Sequence, residues 1–77
     1  MEQYQEEIKA HLMATDEEFR RLATKHSEYK KRVEELESRP HLSDEDHMEE
    51  VRLKKIKLHL KDQMLEMISR YRTQQTV

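Results

Sequence analysis

The sequence predicts an all-α fold: an antiparallel, coiled-coil-like helical hairpin with spare apolar surface for self-association. Three observations predict it. The 77-residue chain has no glycine and one proline, and 42% of it is charged. Such chains suit long helices, whereas strands joined by tight turns normally need glycine. Two long stretches repeat apolar residues every three or four positions, the helical period. A short polar segment, SRPHLSDED at 38–46, carries the chain's punctuation between them.

The first helix is expected over about residues 3–37. Ile8, Leu12, Thr15, Phe19, Leu22, His26, Tyr29, Val33 and Leu36 alternate spacings of four and three. That is a heptad seam, interrupted only by Thr15 and His26. Charges of both signs fill the positions between. Thr15-Asp-Glu-Glu18 has the form of a capping box just before Phe19, with Thr15 as the cap. Two readings stay open there. One is a break near 14–16 that makes residues 3–13 a separate short helix. The other is a continuous helix, because the seam keeps its register. Pro40 cannot continue a helix and bends Arg39 away from helical angles, so the helix should end near Glu37 or Ser38.

A loop of about 38–43 then makes the two helices antiparallel neighbours. Ser43 and Asp46 form a second capping box, and Asp44, Glu45 and Asp46 put negative charge where the helix dipole favours it. The second helix is expected over about 44–72. Leu53, Ile56, Leu60, Met64, Met67 and Tyr71 form one amphipathic stripe. Val51, Leu58 and Leu65, spaced by sevens, form another with Ile68 beside them. At 100° per residue the second line lies about 120–160° around the helix from the first. Two stripes need two partners: the first helix of the same chain, and most simply the second helix of another copy. Val51, Leu58, Leu65 and Ile68 are therefore the candidate interface.

The LKKIKLHLKDQM stretch at 53–64 has a competing reading. Lys54, Lys55, Lys57 and Lys61 could contact a phosphate backbone. Three features favour packing instead. Lys54 and Lys61 lie between apolar stripes, where methylene stems cover grease. Five acids precede them, and Glu50 and Lys54 form an i,i+4 pair. No aromatic platform accompanies them. The net charge of −2 argues the same way.

Other functions find little support. No cysteine is present, so thiol chemistry and Cys-based zinc sites are excluded. The five histidines, His11, His26, His41, His47 and His59, show no ligand spacing. His26 on the seam reads as a core histidine, or as a pH-sensitive weak point. Asp62 lacks an opposite charge at i±3 or i±4 and should find a partner on the other helix. No nucleophile-base pair or phosphate loop is visible, so neither an enzyme nor a cofactor is expected. No apolar run is long enough for a membrane span, and the acidic, polar N-terminus is unlike a secretion signal. The cytoplasm is the expected location. The favoured function is a small protein-protein interaction module that self-associates, with an unknown protein partner. Nucleic-acid binding through the lysines is the alternative, and a zinc-responsive hairpin is third.

The residues also resemble a family. Leu53 to Met64 is similar to the LKKxKLxLKDxM signature of small bacterial YdcH-like proteins, whose function is unknown. Phe19, Leu22 and His26 resemble the F-x-x-L-x-x-x-H stretch of that family's first helix. Tyr29-Lys30 departs from the Leu-Asp expected there. The resemblance covers about residues 4–72. It implies a bacterial cytoplasmic helical hairpin and brings no catalytic residues.

Overall fold

In the computed structural model, which describes residues 2–75, all regular structure is helical. Helix α1 spans Glu2–Thr15, α2 spans Glu17–Glu37 and α3 spans Asp44–Gln75. The expected first helix is thus two helices, and the open question near residues 14–16 resolves as a break at Asp16. The second expected helix continues past residue 72.

The break has a local cause that corrects the expected cap. Asp16, not Thr15, caps α2: its backbone is extended (φ −117°, ψ 113°), and its carboxylate accepts from the Phe19 amide at 3.0 Å. This satisfies one of the orphan amides at a helix start. Thr15 lies inside the last turn of α1, where its hydroxyl donates to the His11 carbonyl at 2.8 Å. A threonine side chain can bond to its own helix in this way instead of capping the next one. Arg20 closes the junction from the other side. Its guanidinium donates to the Met13 and Ala14 carbonyls at 3.1 and 3.3 Å, satisfying the free end of α1.

At the other junction the Ser43–Asp46 box forms as expected. Asp46 accepts from the Ser43 amide at 3.2 Å, and Ser43 accepts from the Asp46 amide at 3.1 Å. Arg39 reaches Asp46 across the turn at 3.3 Å. Ser38 ends α2, its hydroxyl donating to the Glu35 carbonyl at 2.7 Å.

The core lies in two clusters. Near the turn, Val33 and Leu36 of α2 bury Leu53 of α3, with Tyr29 packed alongside. At the far end, Phe19 of α2 meets Ile68 of α3, and Ile8 and Leu12 of α1 complete the cluster. Met64, Met67 and Tyr71 pack against it. The start of α2 therefore lies beside the end of α3, and the end of α2 beside its start. Phe19 and Leu53 are the largest fully buried side chains. The molecule is elongated, 52 × 23 × 17 Å, close to the length of α3 itself.

Candidate functional site

The four expected interface residues do not share one environment. Val51, Leu58 and Leu65 are 52%, 57% and 37% exposed, and Met48 extends their row at 73%. Ile68 is only 3% exposed, buried with Ile8, Leu12 and Phe19. Its place in the interface set is corrected: α1 folds over this end of α3 and covers it. Met48 is the member that sequence reasoning missed. It precedes Val51 by three residues, the helical spacing that would have found it.

The open row is Met48, Val51, Leu58 and Leu65, spanning about 25 Å of helix. Lys55 and Asp62 occupy the gaps between its apolar members in sequence. Around Met48 and Val51 the surface forms a shallow hollow edged by Glu45, Arg52 and Lys55. Arg52 is held back along the helix by Glu49, at 2.6 Å. That pairing holds the Glu49 carboxyl below its ordinary range and raises the Arg52 guanidinium.

The structure disperses the four lysines of the basic stretch. Lys54 turns toward the turn end, bonding Glu37 of α2 at 3.1 Å and Glu50 at 3.9 Å. The Glu37 carboxylate raises its pKa. Lys55 edges the hollow on the outer row. Lys57 and Lys61 instead face a groove of about 470 Å³ between α3 and the other two helices. Lys9 of α1 and Lys30 of α2 face the same groove, as does His26. Partial burial lowers the pKa of His26, and Lys57, Lys30, Lys61 and Lys9 lower it further. The expected weak point on the seam therefore sits among cations, which keep the imidazole neutral to lower pH than usual.

The remaining candidates are surface features. His11 packs against Tyr71, ring centroids 5.0 Å apart, while His41, His47 and His59 are exposed. Among the described residues, no group of three or more His, Cys, Asp or Glu is placed to hold a metal ion. Asp62 is exposed and joins none of the ion pairs among the described residues, contrary to the expected partner on the neighbouring helix. None of the described helices is long and apolar enough to cross a membrane.

No match to the chain was found among curated proteins or among solved structures. A family described as "Protein of unknown function (DUF465)", which includes the YdcH-like proteins, matches residues 19–68. The match runs from Phe19 at the head of α2 to Ile68 on α3, through the lysine-rich stretch and the open row. The chain belongs to this family.

Proposed function

We propose that the chain is a non-enzymatic interaction module, an antiparallel hairpin whose α3 pairs with α3 of a second copy. The observation that carries this reading is the open row Met48, Val51, Leu58 and Leu65, on the part of α3 that α1 leaves uncovered. A row of exposed apolar side chains along one helix face is the kind of surface a partner covers.

Charge favours a second copy as the occupant. Residues 44–52 hold five acids and one arginine, whereas 53–72 hold six bases and two acids. A two-fold, antiparallel pairing lays the acidic half of one α3 along the basic half of the other. Like charges across the pair would oppose the parallel alternative. Lys55 and Asp62, both on the row, then sit beside apolar neighbours, where each can bond across the interface.

Leu58→Glu tests this. The expected result is a halving of mass, or more, in light scattering or sedimentation, with helix content retained. A parent chain that stays monomeric at high micromolar concentration, or an unchanged mass in the variant, would overturn the self-association.

A further inference from the structure

The groove between α3 and the other two helices has a composition that the open row does not explain. Lysines converge on it from all three helices: Lys9 from α1, Lys30 from α2, and Lys57 and Lys61 from α3. None of its lining residues is acidic. Lys9 pairs with Glu6 at 3.4 Å, but Lys30, Lys57 and Lys61 join none of the ion pairs among the described residues. Elsewhere on α3, three cations have acidic partners: Arg52 with Glu49, Lys54 with Glu37 and Glu50, Arg70 with Glu66. A cationic cluster without a counter-charge repels itself, and an anion relieves that repulsion.

The rest of the groove is apolar. Met13, Phe19, Ala23 and Leu65 contribute to its walls, Phe19 itself being otherwise buried. The two surfaces are arranged end to end. On α2, Phe19 and Ala23 precede His26 and Lys30 by one to three turns. On α3, Lys57 and Lys61 precede Leu65 and Ile68. Since the start of α2 lies beside the end of α3, both apolar sets fall at the α1 end and the lysines toward the middle. The volume of about 470 Å³ suits a small ligand rather than a protein segment.

We propose that this groove binds a free, single-chain anionic amphiphile, with a carboxylate or phosphate head among Lys30, Lys57 and Lys61 and an aliphatic tail toward Phe19, Met13 and Leu65. Lys9, which lines the same groove and pairs with Glu6, completes the cationic rim. His26 reports occupancy. The cations that face it, Lys9 from α1, Lys30 from α2 and Lys57 and Lys61 from α3, hold its proton affinity down. A bound anion screens them and moves its pKa back up toward 6.5.

The test follows the His26 ring and the Phe19 ring by NMR while decyl phosphate is added below its micelle concentration. Inorganic phosphate and the cationic decyltrimethylammonium ion are titrated in parallel. The expected result is saturable change at both rings with decyl phosphate, together with a raised His26 pKa. Lys57→Gln with Lys61→Gln should weaken binding at least about tenfold while far-ultraviolet dichroism stays unchanged. Equal binding of the cationic amphiphile, or no saturable change, would overturn the proposal, as would a lysine variant that binds as the parent does. Inorganic phosphate binding as tightly as decyl phosphate would remove the tail from it. The titration is repeated on Leu58→Glu. Retained binding separates the groove from the copy-to-copy pairing, and lost binding would move the occupant to the interface and defeat the assignment.

Discussion

Both halves of α3 carry apolar residues on the second stripe that the sequence shows, and the fold treats them differently. In the half nearer the turn, Met48, Val51 and Leu58 stand open. In the far half, Ile68 lies under Ile8 and Leu12 of α1, and Leu65 is at the boundary. The difference comes from the kink at Asp16. It lets α1 leave the line of α2 and fold against the end of α3, but α1 is too short to reach the first turns. One helix of 14 residues, about 21 Å long, can cover less than half of α3's 32 residues. The far half thus satisfies its second stripe within the chain, whereas the near half must find another surface.

The most forceful way to test this contrast is to remove side chains from each half. Phe19→Ala should cost about 3–5 kcal/mol and Ile68→Ala about 2–5, as buried aromatic and aliphatic truncations do. Val51→Ala should cost well under about 1 kcal/mol in dilute monomer, since the side chain is already wet. Urea denaturation at low micromolar concentration measures all three. An Ile68→Ala variant as stable as the parent would mean that α1 does not cover this end of α3.

Much of this was legible from spacing alone. Ile8, Leu12, Phe19, Val33 and Leu36 fall on the seam and are buried, and Leu53 and Leu60 do the same on the inner stripe of α3. Period predicts which residues share a face because a helix fixes their angles. It does not say which neighbour covers that face. Ile68 falls beside Leu65 on the second line of α3, and nothing in the spacing shows that α1 folds back over it. The lysine groove was hidden for a similar reason. Lys57 and Lys61 sit close to Lys54 and Lys55 in sequence, and Lys54 shares nearly the same helical face as Lys61. Its bonds to Glu37 and Glu50 turn Lys54 aside, while Lys55 points to the outer row. Lys9 and Lys30 join the groove only through packing of three helices.

The kink itself offers a smaller effect. Asp16→Ala removes the acceptor for the Phe19 amide and should cost about 1 kcal/mol, the usual price of an N-cap. Thr15→Ala should change stability by less than about 0.5 kcal/mol, because its hydroxyl only returns to its own helix at an exposed site. Thermal melts of the two variants would rank them. The reverse order would restore Thr15 as the cap and put the break one residue earlier.

The smallest effect belongs to the start of α3, where little is buried and polar contacts hold the turn. The bond from the Ser43 amide is the main cause that lowers the Asp46 carboxyl below its ordinary 3.8, and the Ser43 hydroxyl and Arg39 add to it. The sign follows from which state takes the proton first. As pH falls, the unfolded carboxyl protonates near 3.8 while the folded one still resists. The stabilisation is therefore complete above 3.8 and drains away as pH drops through that value toward the folded pKa. Amide exchange in the first turn of α3 should quicken over that interval relative to exchange around Leu53. Asp46→Asn should flatten this pH dependence at the turn and leave exchange around Ile68 as it was. A variant that loses protection equally at both ends would show that the two halves of α3 open as one unit.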